Sequence, residues 1–236
     1  MWTGHWEAPT RHAALHRGAA ARPCCCGVWA RRPQGGRRDG VVAGTGRLRP
    51  AVLDFRFDSV EIEWLREKHV VDFLTLDFLS DYHFTGNISG YAEGECFFPR
   101  SPLLVVEGTF AESVVLETLL LSILNHDSAI ASAASRMTNA AGDRPCIEMG
   151  SRRTHEWAAV AAARAAYIGG FATTSNLEAG RAYGVPTKGT SAHSFTLLHD
   201  AERAAFEAQV ASLGVGTTLL VDTYDVTAAV DLALAQ

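Results

Sequence analysis

The amino-acid sequence predicts an α/β protein, with an N-terminal α/β portion leading into an incomplete (β/α) barrel. Three observations predict it. From about residue 142 short apolar segments alternate with Ala-rich helical ones, the pattern of βα units around a parallel sheet. A single long stretch with a broad apolar face, Phe110 to Ala141, separates that rhythm from what precedes it. The polar, chemically useful residues collect where the short apolar segments end, which is where α/β proteins bind ligands.

Length and composition set the frame: 236 residues, 47% of them hydrophobic, can bury one large core or two modest ones. The net charge of −5 is uneven, because nine of the 21 Lys and Arg fall within residues 1–50, against only Glu7 and Asp39. The remainder is acidic, which argues against a nucleic-acid-binding body. Residues 1–50 are rich in Arg, Ala and Gly, with apolar positions too scattered to define a helix or strand, so weak order is expected there. Of the five cysteines, Cys24, Cys25 and Cys26 are adjacent, and Cys96 and Cys146 stand far away. No disulfide framework or zinc spacing follows, and an odd count fits a reduced, cytoplasmic setting. No h-region marks a signal peptide, and the richest apolar run, Val114 to Leu124, is broken by Glu117, Thr118 and Ser122, so no membrane span is expected.

Residues 51–141 form the N-terminal α/β portion. An acidic helix is predicted over Ser59 to Lys68 and a shorter one over Val71 to Asp81. Asn87 to Phe98 reads as two strands or one bent strand, closed by Pro99, Arg100, Ser101 and Pro102; Leu103 to Gly108 is a further strand. The helix from Phe110 to Ala141 carries Val115, Leu116, Leu119, Leu120, Ile123 and Leu124 on its apolar face. Residues 142–236 then give strand Cys146 to Met149, helix Thr154 to Ile168 stopped by Gly169 and Gly170, and strand Phe171 to Thr173. Helix Ser175 to Tyr183 follows, with Gly184 placed for a left-handed cap. Val185 to Thr187, a loop to His193, helix Ser194 to Ser212, strand Thr217 to Val221 and helix Val226 to Ala235 complete the order. About four such strands are counted, whereas a closed ring needs about eight.

Four consecutive strand ends present Ser151 with Arg152 and Arg153, then a hydroxyl-rich helix start at 173–176, then the turn Gly189, Thr190, Ser191, Ala192, His193, and finally Asp222. These types suit an anionic, phosphate-bearing substrate. Arginines fork onto carboxylate or phosphate, helix starts and hydroxyls bind phosphate oxygens, and a carboxylate orients a sugar hydroxyl or Mg²⁺. His193, at a helix start, is placed to accept a phosphoryl group as a nucleophile. Each piece also has a plainer reading. A Ser-x-His turn is commonly a cap, an Arg pair a solvated helix start, and Asp222 a cap for the helix near Val226. His126 and Asp127 read as a packing pair inside the long helix, and His155 and Glu156 as first-turn residues.

Taken in order and spacing, four runs carry a family resemblance: Glu148 to Arg153 (Glu-Met-Gly-Ser-Arg-Arg), Thr173 to Gly180 (Thr-Thr-Ser-Asn-Leu-Glu-Ala-Gly), Gly189 to Ser194 (Gly-Thr-Ser-Ala-His-Ser) and Leu220 to Asp225 (Leu-Val-Asp-Thr-Tyr-Asp). With Ile123 to Asp127 they resemble nicotinate phosphoribosyltransferases from about Ala51 onward. The resemblance implies a barrel of the type II phosphoribosyltransferase kind. It implies joining of nicotinate to phosphoribosyl pyrophosphate to give nicotinate mononucleotide in NAD biosynthesis, with ATP hydrolysis coupled through a phosphorylated histidine. His193 matches that histidine. Thr190 matches a nicotinate contact; Arg153, with Arg152, would hold the pyridine carboxylate or a phosphate; Asp222 matches a carboxylate at the sugar-phosphate site. ATP and Mg²⁺ are the implied cofactors, nicotinate and phosphoribosyl pyrophosphate the substrates, and a homodimer the implied assembly, with neither nucleic acid nor membrane as partner. The family's opening Thr-Asp-x-Tyr segment has no counterpart in residues 1–50, and further strands are expected beyond Gln236. The rival readings are a phosphoribosyltransferase for nicotinamide or quinolinate, and an inactive fragment or interaction module completed by a complementary half.

Overall fold

The computed structural model describes residues 18–31 and 37–235. Three strands, β1 (Pro23–Trp29), β3 (Asn87–Gly90) and β5 (Pro102–Thr109), form an antiparallel sheet in the order β1-β5-β3. A second, two-stranded antiparallel pair joins β2 (Gly40–Val41) to β4 (Cys96–Phe97). Asn87 to Phe98 is therefore two strands, as the sequence allows, and they belong to different sheets. Within the first fifty residues the described part is ordered where weak order was expected. β1 pairs with β5 from Pro23 opposite Thr109 to Trp29 opposite Pro102, and α1 (Thr45–Leu53) follows Gly44. The three cysteines and Gly27 carry no strand signal, and β1 exists through its cross-strand partners. Residues 1–17 and 32–36 lie outside the described residues.

Local chemistry starts the next helices where sequence places them. α2 (Ser59–Glu67) opens on Asp58, whose side chain accepts from the Glu61 amide while Glu61 reaches back to the Asp58 amide. α3 (Phe73–Ser80) opens on Asp72, which accepts from the Thr75 amide at 2.9 Å. α4 (Phe110–Ala141) repeats the reciprocal cap with Thr109 and Glu112 and runs 32 residues. By length and composition α4 could cross a membrane, which the search for an unbroken apolar run passed over; here more than half of its most apolar stretch is buried. Val115, Leu116, Leu120 and Leu124 pack against Leu104 and Val106 of β5 and against Ile62, Leu65, Leu76 and Leu79 of α2 and α3. Phe55, Phe57, Phe78 and Tyr82 meet edge to face at 5.5–6.0 Å, and the Tyr82 hydroxyl donates to the Glu112 carbonyl at 2.9 Å. Each such ring pair adds about 0.5–1.5 kcal/mol beyond area burial.

The distal half of α4 does a different task. Ser132 Oγ accepts from the Val41 amide at 2.8 Å and Ser128 Oγ from the Ala43 amide at 3.1 Å, so a helix face satisfies the backbone of β2. Small residues there also bring α5 (Glu156–Ile168) close. Gly169, with φ −74, needs no glycine for its backbone, yet a Cβ would lie 2.6 Å from the Ala131 carbonyl oxygen and 2.6 Å from Ala134 Cβ. Gly169→Ala is accordingly expected to destabilise by about 1–3 kcal/mol in urea unfolding, through forced separation of α4 and α5; an unchanged midpoint would disprove the close packing.

Beyond α4 the βα rhythm appears as predicted, in shortened strands. β6 (Ile147–Glu148) and β7 (Thr173–Thr174) pair in parallel. Thr187 bridges β7 in parallel and Thr190 bridges Thr218 in parallel, so four chain segments lie side by side in sequence order. α5, α6 (Leu177–Tyr183), α7 (His193–Leu197), α8 (Glu202–Leu213) and α9 (Val226–Leu234) alternate with them, giving the incomplete barrel that the sequence predicts. Gly184 holds φ 68 as the left-handed cap of α6. One helix differs: Ser194 to Ser212 is broken into α7 and α8, because Ala201 turns extended at φ −148, ψ 147 without a Gly or Pro to announce it.

The two portions meet through a charged fork. Arg164 of α5 donates to both oxygens of Glu93, in the β3–β4 connection, at 2.7 Å each, and Glu93 also accepts from the Gly44 amide at 2.8 Å. Burial opposes ionisation of Glu93, but the Arg164 hydrogen bond and charge, with the Gly44 and Gly46 amides, together outweigh it and hold the carboxyl below its ordinary 4.5. Because the folded value is the lower one, the fork stabilises above about pH 4.5 and loses its effect as pH falls through the folded value. The stability gap between the wild type and Glu93→Gln should hold constant from neutrality to about pH 5 and narrow in more acid solution. A gap that is the same in acid as at neutrality would refute the linkage.

Candidate active site

The site sits on the carboxyl edge of the four parallel segments, where each chain turns toward a helix. Backbone bonds set the edge: the Ala172 amide donates to the Cys146 carbonyl, the Ser175 amide to Glu148, the Thr174 amide to Pro186 and the Lys188 amide to Thr174, all at 2.9–3.0 Å. This ladder brings the first three polar strand ends onto one rim, and the parallel Thr190–Thr218 bridge adds the fourth, as sequence order alone implied.

At the first end, residues Gly150–Arg153 coil into a 3₁₀ turn. Glu148 organises it. Its carboxylate accepts from the Gly150 amide at 2.5 Å and from the hydroxyl of the fully buried Thr174 at 2.6 Å, tying the turn to β7. Asn176 caps α6, accepting from the Ala179 amide at 2.9 Å, while its Nδ2 donates to Ser151 Oγ at 3.0 Å. Arg152 and Arg153 are exposed and make no ion pair with another described residue, so both guanidinium groups face solvent beside the rim.

The third and fourth ends meet directly. His193 is the first residue of α7; its Nδ1 lies 3.2 Å from Thr223 Oγ1, and its Nε2 lies 3.8 Å from Asp222 Oδ1. The imidazole side chain is 54% exposed. Thr190, exposed, precedes it where the third segment bridges the fourth. On the far side of the fourth segment, Gln209 of α8 donates to Thr217 Oγ1 and to the Thr218 carbonyl at 2.9 Å, fixing the strand that ends in Asp222.

The plainer readings of these residues can now be weighed. α7 has Ala192 at its N-cap and no side-chain cap, so the Ser191–His193 turn is not a capping device. The cap of α9 is Asp225, accepting from the Ala228 amide at 2.8 Å, which leaves Asp222 free of that task. His155 does cap α5, accepting from the Trp157 amide, with Glu156 in the first turn. His126 donates or accepts at Asp127, which Arg47 also holds, a packed charged group away from the rim. His193, Asp222 and Thr223 are thus in contact, Ser151 is held by Asn176, and Arg152 and Arg153 stand two segments away on the same edge without touching His193. Sequence reasoning took in Thr174 and Asn176 only as part of a hydroxyl-rich helix start and gave no role to Glu148 or Thr223. All four lie within the quoted strand-end runs, and a carboxylate two residues before the glycine that opens the Gly150–Arg153 turn was the available signal.

The fold and this rim define a phosphoribosyltransferase-like α/β protein, with polar loops at the carboxyl edge of a parallel array. The family model for the nicotinate phosphoribosyltransferase N-terminal domain matches residues 3–125, and the chain belongs to that family. The match takes in nearly all of the basic opening that composition sets apart. Nicotinate phosphoribosyltransferase pncB1 of Mycobacterium tuberculosis is 60% identical over 243 aligned positions, covering 100% of this chain and 54% of that protein. The Bacillus subtilis nicotinate phosphoribosyltransferase is 42% identical over 134 residues, covering 56% of this chain and 27% of that one. Among solved structures, human nicotinic acid phosphoribosyltransferase superposes with TM-score 0.86 at 25% identity, over 100% of this chain and 59% of that chain. A nicotinate-nucleotide pyrophosphorylase from Pyrococcus furiosus shares the fold, with TM-score 0.78 at 24% identity, over 99% and 53% of the two chains. The chain spans about half the length of the curated relatives it matches first.

Proposed function

We propose that this chain carries the phosphoryl-accepting half of an ATP-coupled nicotinate phosphoribosyltransferase site, joining nicotinate to phosphoribosyl pyrophosphate. The observation that supports it most is the contact of His193 with Asp222 and Thr223 on the rim that also bears Arg152, Arg153, Ser151 and Thr190. With its Nδ1 hydrogen donated to Thr223 Oγ1, the ring keeps a lone pair on Nε2, the nitrogen open toward Asp222. In this reading Nε2 accepts the γ-phosphoryl group of ATP and ADP leaves. Arg152 and Arg153 fork onto the carboxylate of nicotinate or a phosphate, while Ser151 and Thr190 supply hydroxyls to the ligand.

Asp222 suits a Mg²⁺ that keeps most of its waters and phosphate ligands, since such a site needs only one or two protein carboxylates. When bound, Mg²⁺ supplies charge to the phosphate oxygens. The nicotinate phosphoribosyltransferases named above act on nicotinate by name, and the same substrate is proposed here. The test is turnover by the intact chain with phosphoribosyl pyrophosphate and ATP, comparing nicotinate, nicotinamide and quinolinate. Nicotinate mononucleotide formed from nicotinate alone supports the proposal. Preference for either other pyridine, or ATP-independent rates, would overturn it.

A further inference from the structure

β1 is an edge strand, and its three adjacent cysteines alternate faces. Cys24 and Cys26 point to the core side, where Cys26 packs against the main hydrophobic cluster, and Cys25 lies exposed on the other face opposite Glu107. The Sγ atoms of Cys24 and Cys26 are 3.0 Å apart. Cys24 and the exposed Cys25 both line an open cleft of about 610 Å³ with Thr85, Asn87 and Thr109, so a small thiol reagent can reach either, and Cys24 is the one with Cys26 Sγ at 3.0 Å. Nothing in the proposed transferase chemistry uses these sulfurs.

We propose that Cys24 and Cys26 are a reversible redox pair that closes a disulfide within β1 when a small disulfide such as oxidised glutathione enters the cleft. A disulfide needs its sulfurs about 2.05 Å apart, so closure asks for roughly 1 Å of motion, within reach of side-chain rotation. The Cα atoms of residues two apart in a strand are separated by about 6.6 Å, near the long limit of disulfide geometry. The closed form therefore puckers the strand and is easily reduced again, unlike a structural crosslink. An edge strand tolerates this because, among the described residues, β5 alone pairs with it. Burial, then the neighbouring thiols and Glu117, push the Cys26 thiol up to about 11.

The Cys24 thiolate attacks one sulfur of oxidised glutathione, forming a mixed disulfide and releasing glutathione. The Cys26 sulfur then attacks Cys24 Sγ, and its proton departs with the second glutathione. Two protein thiols are oxidised by two electrons and one oxidised glutathione is reduced to two glutathione molecules. Cys25, whose side chain points to the opposite face, takes no part. Closing a loop of this size restricts the unfolded chain little, while puckering weakens the bonds to β5, so the oxidised form should melt at the lower temperature and recover with dithiothreitol.

The experiment treats the intact folded chain with oxidised glutathione, alkylates the remaining thiols and maps the cysteines by mass spectrometry. Wild type and Cys25→Ser are expected to lose two alkylation sites together, at Cys24 and Cys26, with a mass lower by two hydrogens. Cys26→Ser should instead keep a glutathione adduct on Cys24. Full alkylation of Cys24 and Cys26 after treatment would overturn the proposal, as would a link through Cys25 or an adduct confined to Cys25. These outcomes are read on the sulfurs themselves, so they stand apart from success or failure of the transferase reading.

Discussion

His193→Ala is expected to reduce phosphate incorporation from labelled ATP to background, whereas His126→Ala leaves it unchanged. The contrast follows from what each ring already does. His126 is engaged at 2.8 Å with the buried carboxylate of Asp127, and His199 is engaged at 2.8 Å with the Phe195 carbonyl. His155 is occupied as a helix cap. His193 alone among these stands on the rim of strand ends with one nitrogen steadied by a hydroxyl and the other open. Removing the Thr223 hydroxyl should leave labelling possible but slower, because a ring free to swing spends less time aligned for attack; a loss of about tenfold to a hundredfold is expected for Thr223→Val. Label retained at wild-type level in His193→Ala would sink the assignment of the nucleophile, whatever the chain binds.

Why His193 was legible while its supports were not is a matter of range. A Gly-Thr-Ser-x-His turn after a short apolar segment is a local pattern, and so are the reciprocal caps at Asp58 and Thr109 that place α2 and α4 within a residue of expectation. The apolar face of α4 is likewise a local pattern, sustained to Ala134, and Gly142 follows the last helical residue. β1 is the opposite case. Its residues have poor strand propensity, and its existence depends on β5, about eighty residues later, offering a complementary edge. The Thr174 hydroxyl that steadies Glu148 comes from the neighbouring strand, and Ser128 and Ser132 look like ordinary small helix residues until β2 lies beside them. The break between α7 and α8 has no Gly or Pro, so nothing local marks it. Periodicity and caps thus gave the elements; the partners that orient the site residues required the fold.

The largest stability effect is expected at a residue that touches no ligand. Asp127 of α4 is fully buried, and Arg47 of α1 donates from Nη1 to both of its oxygens at 2.8 Å, while His126 Nδ1 lies 2.8 Å from Oδ1. The pair crosses from the start of the chain to the middle of its longest helix, and Asp127 Cβ lies where a side chain at Gly44 would stand, at 3.2 Å. Arg47→Ala strands the carboxylate without its main partner, and removing one member of a buried ion pair costs about 3–5 kcal/mol. Taking away both charges at once is a different perturbation: Arg47→Met with Asp127→Leu removes the uncompensated charge and should recover most of that loss, because the desolvation cost goes with the attraction. Urea unfolding of the two variants separates the possibilities. A loss below about 1 kcal/mol for Arg47→Ala would mean that water or His126 satisfies Asp127 alone, and a double variant as weak as the single one would mean that packing, and not charge, sets the cost. The Arg164–Glu93 fork should respond less to the same treatment, because Glu93 is 19% exposed against 1% for Asp127, so water can reach the carboxylate left behind.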